Sequence, residues 1–487
     1  MSLTKAQQER TKKYSIVDGC ANNVLYGFGE QYITPFALRL GALPSEIALL
    51  GSVPSCIGSC FQLLGARLSQ QWTRKKLVTL FVFLQAGMLL PLFFLPLLTK
   101  NMLLLTLLFA VYLVFSNMTL PAWTSWMGQV VSAHERAVYF SKRGKYAIIA
   151  MVLSIFVAGV ILNTFDSMNI WVGFGILFGI ALLGRLVSWF YLLKHDEPEM
   201  VKAPVTPFRE FLGTIAKNKF GRFVIFRSLF SFSVTVAGPF FAVFMLRDLH
   251  FSYVQYMLIV ILPLVFRSLS MPYWGRNSVK FGTRNIMLVS GFLISLVPFG
   301  WFIAGQFFSH TNYVFVFIVF TELISGFGWA GMELTTFNYV LESTGKTNTA
   351  VFSAYFNVIL GVGVLLGGLL GSYLVSHLTP FLNVKVILLV MFISFMLRFL
   401  SVYLLMPIVK ELRINKRIRE SKLFLELAVM HPVEYTLDQT LYVLDVAENK
   451  IKEVVGTAED VADEVTTFIP HPSQVPIIKH AIIKKRK

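Results

Sequence analysis

Residues 102–131 read MLLLTLLFAVYLVFSNMTLPAWTSWMGQVV, thirty positions without an aspartate, glutamate, lysine or arginine. A helix of about 20 apolar residues, rising ~1.5 Å per residue, spans the ~30 Å hydrocarbon core of a bilayer. The run is too long for a strand and does not alternate as a barrel strand would. Its polar residues are ordered: Tyr112, Ser116, Thr119 and Trp123 recur at i, i+4, i+7 and i+11, which places them on one helical face. A membrane helix with a single polar stripe turns that stripe toward protein or water.

Eleven further segments have the same character: 14–40, 44–64, 77–98, 146–165, 170–193, 222–246, 252–274, 286–308, 312–341, 349–376 and 381–409. The whole chain agrees, with 487 residues, 55% hydrophobic and only 14% charged, and a mean hydropathy of +0.66. A soluble protein carries roughly 25% charged residues, so a soluble globular domain is excluded. The expected fold is an all-α membrane protein of 12 transmembrane helices with a polar tail. Cys20, Cys56 and Cys60 all fall in apolar segments, where packing is their expected role.

The net charge is +17, which in a soluble protein would point to nucleic acid. Here the basic residues sort by loop. With the amino terminus inside, four fall in outer loops (Arg39, Lys100, Arg247, Lys385) and four within helices (Arg185, Arg227, Arg267, Arg398). The remaining 35 of 43 lie in cytoplasmic segments. Positive charge collects inside, so both termini are expected in the cytoplasm, in a plasma membrane. Lipid headgroups are then the expected partners of the charge, and no nucleic acid is expected.

The chain also repeats. Pro35-Phe36 matches Pro239-Phe240, Pro54 matches Pro263, and Gly65, after the second helix, matches Gly275, after the eighth. Ala137-Val138 matches Ala350-Val351, and Arg185-Leu-Val-Ser188 matches Arg398-Phe-Leu-Ser401. The order is kept and the offset drifts only from 204 to 213 residues. This divides the chain into a six-helix bundle (1–193), a cytoplasmic linker (194–221), a second, pseudo-symmetric six-helix bundle (222–409) and a tail (410–487). In the tail, Ile451, Val454, Val455, Ala458, Val461, Ala462, Val465 and Phe468 fall at helical spacing. They predict an amphipathic helix that docks on the protein, the membrane or a cytoplasmic partner.

Three more helices carry stripes: Asp18, Asn22, Tyr26 and Glu30 on the first; Arg227, Ser231 and Thr235 on the seventh; Glu322, Gly326, Trp329 and Glu333 on the tenth. Glu30 and Glu322 lie near the midplane, where a charged carboxylate costs at least about 2.5–3.5 kcal/mol. They are candidates for binding a solute or a coupling proton. Asn22, Tyr26, Trp123, Trp329 and Glu333 are candidate solute contacts, with core packing as the alternative for each aromatic. Asp18 sits nearer the cytoplasmic side and suits a gate. Arg227 and Arg267 are expected to snorkel, and Arg185 and Arg398 to hold helices together. If one of these arginines faces a cavity, an anionic solute becomes attractive. The run Gly361, Gly363, Gly367, Gly368 and Gly371 predicts close helix packing. No nucleophile–base set, metal-spaced cluster or phosphate loop is present in the sequence, so neither an enzyme nor a cofactor or metal is expected.

The loop GARLSQQWTRKK, residues 65–76, resembles the signature loop of the major facilitator superfamily. Gly65, Arg74 and Lys75 match it, while Ser69 replaces the acid and Trp72 the second glycine. The other half holds a second copy, GRNSVKFGTRN, which keeps Gly275, Gly282 and Arg284. The run PAWTSWMGQVVSAHERAVYFSKR is similar to one in many prokaryotic members, in which Arg136, Tyr139, Phe140 and Arg143 recur. The resemblance covers residues 14–409. It implies two bundles rocking around a central site lined by the first, fourth, seventh and tenth helices, with these loop residues as gates. The expected function is therefore a secondary transporter of a small solute by alternating access, with proton coupling motivated by Glu30 and Glu322. The alternatives are a transporter-like sensor or scaffold signalling through its tail, and a lipid flippase.

Overall fold

The computed structural model describes residues 3–69, 71–132, 135–198, 208–215, 217–311, 313–381 and 384–411. The predicted amphipathic helix of the tail lies outside the described residues. The described chain is almost wholly helical: α1 (Lys5–Phe28), α2 (Pro44–Leu68), α3 (Arg74–Thr99), α4 (Met102–Val130), α5 (Arg136–Asp166) and α6 (Ile170–Leu193). Then follow α7 (Lys219–Ala237), α8 (Tyr253–Phe281), α9 (Thr283–Phe307), α10 (Tyr313–Ser343), α11 (Phe352–His377) and α12 (Val386–Leu405). Among the described residues, eleven helices are long and apolar enough to cross a membrane. Large apolar side chains such as Leu103, Val316, Phe320 and Phe337 face outward, as lipid contact requires. This is a multi-pass integral membrane protein.

The helix outside that count is α1. Its first turns are charged, and it breaks at Gly29 into a 3-10 turn, Glu30–Tyr32, before a short helix, Ile33–Arg39. Proline cannot donate back to the carbonyl four residues earlier. Pro35 therefore frees the Gln31 carbonyl, and the Tyr256 hydroxyl of α8 donates to it at 3.2 Å. Helix α7 breaks likewise, before Pro239, and continues as a short helix, Phe240–Val243, and a π turn, Phe244–Asp248. Beside Tyr256, Arg39 donates to the Tyr253 hydroxyl at 2.8 Å and pairs with Asp166. These contacts tie α1 and α5 to α8 at the Arg39 end.

Helix α11 packs between two neighbours through its glycines. On one face Gly361 and Gly368 lie against Ser59 and Ser52 of α2. On the other, Gly363, Gly367 and Gly371 lie against the Ser228, Phe232 and Val236 carbonyls of α7. Three connections differ from expectation. Residues 344–351 continue the helix from α10 into α11 rather than forming a loop. Gly275 lies inside α8, which ends only at Gly282, where φ is +90°. Gly65 likewise lies in the last turn of α2, with the Met118 backbone of α4 too close for any side chain.

Candidate functional site

The first half of the chain encloses a cavity of about 510 Å³. All four members of the α1 stripe line it; α4 contributes Trp123, α5 Arg143 and α6 Arg185. Helical periodicity put Asp18, Asn22, Tyr26 and Glu30 on one face, and the packing of α1 against α5 and α6 turns that face inward. The walls between the charged groups mix neutral polar side chains, Ser55, Ser116, Asn117 and Thr119, with apolar ones such as Val78, Val82, Leu113 and Leu120.

The four charges in the cavity are not equivalent. Asp18 is buried and accepts from the Ser188 hydroxyl at 2.6 Å and from Arg143 at 3.4 Å. Arg143 also donates to the Ser15 carbonyl at 2.9 Å and lies 4.4 Å over the Trp123 ring. Glu30 accepts from the Tyr112 hydroxyl at 2.9 Å. Arg185, only 5% exposed, donates to the side-chain oxygens of Asn22 and Gln85, and to Ser188 at 3.4 Å. Sequence reasoning missed Gln85; its signal was an amide inside an otherwise apolar run. It also missed a line of amides across three helices. Gln62 of α2 donates to Asn117 of α4 at 2.7 Å, and Asn357 of α11 donates to Gln62 at 3.0 Å.

The candidates in the second half lie elsewhere. Glu322 accepts from the Trp301 indole at 2.8 Å. Glu333 pairs with Arg267 at 2.6 Å, and Trp329 is half-buried against the aromatic core. Arg227, expected to snorkel, is buried instead. Trp126 is a core residue whose indole donates to the Asp196 carbonyl at 3.0 Å. Arg398, the repeat counterpart of Arg185, has a partner at each nitrogen: it donates to Ser394 at 3.1 Å and to the Ile294 and Val234 carbonyls at 3.1 and 3.2 Å.

The gate candidates meet acids that the loop motif did not predict. Glu197 accepts from the backbone N–H of Arg74 at 2.7 Å and of Lys75 at 3.2 Å, so it caps α3. The Arg74 guanidinium donates to Gln129 at 2.9 Å, and Lys75 to the His195 carbonyl at 2.9 Å. In the other half Glu411 accepts from the Arg284 N–H at 2.9 Å and lies where a Cβ on Gly282 would stand. An acid after the sixth helix of each half thus accepts from backbone N–H groups at the start of that half's third helix. Arg136 begins α5; its side chain lies outside the described residues. The neighbouring His195 ring donates from Nδ1 to the Tyr191 carbonyl, 2.8 Å away, and burial pushes its pKa below the ordinary value. A carboxylate capping two N–H groups at a helix start is worth about 1–2 kcal/mol. Glu197→Ala should therefore lower thermal stability by that amount, whereas Glu9→Ala, at an exposed site, should not; equal loss would remove the capping role.

A profile of the family described as Major Facilitator Superfamily matches residues 20–232 and 223–444. Solved structures agree in fold. The nucleoside transporter NupG is 14% identical, with a TM-score of 0.60 over 83% of this chain and 99% of that one. The POT family transporter PepTSo is 11% identical, with a TM-score of 0.65 over 81% and 97%. A bacterial homologue of the iron transporter ferroportin, in an inward-facing state, is 16% identical, with a TM-score of 0.58 over 83% and 99%. No curated protein matches the chain. The family match runs over most of the sequence, on a helical membrane fold, so the chain belongs to the major facilitator superfamily and is a secondary transporter that moves a small solute by alternating access.

Proposed function

We propose that the cavity between α1, α4, α5 and α6 is the solute site of a 12-helix carrier, in which α1 and its continuation make the twelfth span and two six-helix bundles rock about the site. The observation that carries this reading is convergence. Two carboxylates from α1 and its break and two arginines from α5 and α6 share one cavity of about 510 Å³, within the range of about 300–1,000 Å³ typical of small-molecule sites. The basic-residue asymmetry supports cytoplasmic termini and a plasma-membrane location. It also makes the Arg39 end extracellular, so the contacts of Tyr253 and Tyr256 there act as a closed outer gate. Glu30 is the proposed proton carrier. The titratable and charged groups around it are Tyr112 of α4, Arg185 of α6 and, on α1 itself, Tyr26 and Asp18 with its partner Arg143.

Thiol blocking tests the site. In a background with Cys20, Cys56 and Cys60 changed to serine, Thr119→Cys places a thiol on the cavity wall and Val138→Cys one on the outer surface. The solute followed is one found by thermal-shift screening, since any binder raises apparent stability. Maleimide treatment should stop its uptake by the Thr119→Cys protein and spare the Val138→Cys protein. Uptake that survives the block at Thr119 removes the cavity from the pathway.

A further inference from the structure

Arg185 and Arg398 occupy equivalent positions in the two halves, yet their surroundings differ. Arg398 spends its donors on two backbone carbonyls and a serine, which locks α12 to α7 and α9. Arg185 meets only neutral side chains, Asn22, Gln85 and Ser188, and lines the cavity. Among the described residues no carboxylate is in salt-bridge range of it. Its Nε is buried without a partner, and so is the Nε2 of Gln85, whose oxygen holds the same guanidinium. Two contacting side chains therefore each carry a buried N–H donor with no acceptor. An unmet buried donor is costly, and a buried cation without a counter-ion more so.

Neither carboxylate of the cavity bonds it directly. Asp18 is engaged by Arg143 and Ser188, and Glu30 by Tyr112. When Glu30 is protonated, what the cluster lacks is an acceptor bearing one negative charge. With Glu30 ionised the cavity's two carboxylates balance its two arginines; with Glu30 protonated one positive charge is left over, and it sits with Arg185. The remaining walls mix neutral polar groups, Ser55, Ser116, Asn117 and Thr119, with aliphatic side chains and the Trp123 ring, which suit an uncharged body rather than a second charged group.

We infer that the cavity takes a small organic monoanion, a carboxylate with an uncharged body, received by Arg185 and held with Gln85 as its positioning residue. This rests on the cavity being the solute site. It also makes transport electroneutral: the anion and the proton on Glu30 cross together.

Matched probes test it on the full chain in detergent: benzoate, benzamide and benzylamine as one trio, butyrate, butyramide and butylamine as another, and inorganic phosphate alone. Thermal shift against concentration should show at least one carboxylate binding about tenfold or more tighter than its amide and amine, the scale of a charge-assisted hydrogen bond. Arg185→Gln should erase that preference, and Arg185→Lys should keep charge selectivity with weaker binding. The wild-type trios decide the matter even if neither variant folds. No charge preference, preference for the amine, no binding by any probe, or phosphate binding as well as the carboxylates would each overturn the inference. Blocked uptake in the Thr119→Cys protein alongside an amide or amine preference would sink the anion alone. Unblocked uptake would sink the site itself.

Discussion

Glu30→Gln should abolish solute accumulation driven by a pH gradient while leaving solute exchange across the membrane intact. Glu30 lies at the first position of a 3-10 turn where α1 breaks, with a tyrosine hydroxyl as its hydrogen-bond partner and Arg185 nearby. Such a carboxyl can exist charged or protonated as the solute comes and goes. A glutamine keeps the Tyr112 contact and the volume but cannot carry a proton. One pH unit is worth about 1.36 kcal/mol, so one-to-one symport should concentrate solute about tenfold across such a gradient, and the variant should only equilibrate it. Labelled solute uptake into proteoliposomes, with and without the gradient, measures this. Glu322→Gln is the comparison: its carboxylate is bound to the Trp301 indole away from the cavity, so accumulation should persist. A Glu30→Gln protein that still accumulates solute would end the coupling role.

The second large effect is expected in α11. A Cβ on Gly367 would stand 2.2 Å from the Phe232 carbonyl oxygen of α7, and a backbone atom cannot rotate aside. Gly367→Ala should force the helices apart and cost about 1–3 kcal/mol, the usual range for overpacking. Gly361→Ala meets the Ser59 hydroxyl at 2.0 Å, a side chain that can be removed. It should be milder and be rescued in part by Ser59→Ala. Gly179 of α6 has open space where its Cβ would go, so Gly179→Ala should be neutral or gain up to about 1 kcal/mol of helix propensity. Thermal unfolding in one detergent gives the ranking. If Gly367→Ala ranks with Gly179→Ala, the close approach of α11 to α7 is not tight in solution.

Much of this protein is written in local pattern. Runs of apolar residues longer than the bilayer is thick can only be helices in lipid, because every backbone group must be bonded within the segment. The 3.6-residue period then decides which polar residues share a face, and Asp18, Asn22, Tyr26 and Glu30 do line one cavity. The family loop was legible through Gly65, Arg74 and Lys75, even with its acid absent.

Tertiary structure decided the rest, because a period assigns a face but not the neighbour opposite it. The stripe on α4 joins that on α1, whereas Glu322, Trp329 and Glu333 of α10 go to other contacts. Arg185 and Arg398 read alike in sequence, and only their surroundings separate a guanidinium spent on carbonyls from one that lines a cavity with a donor unmet. Glu197 and Glu411 stand far along the chain from the helix starts they cap, so no local motif could show them. Length, hydropathy and period determined the helices and their polar faces; the distances between side chains remote in sequence, which set every charge balance, came only from how the helices pack.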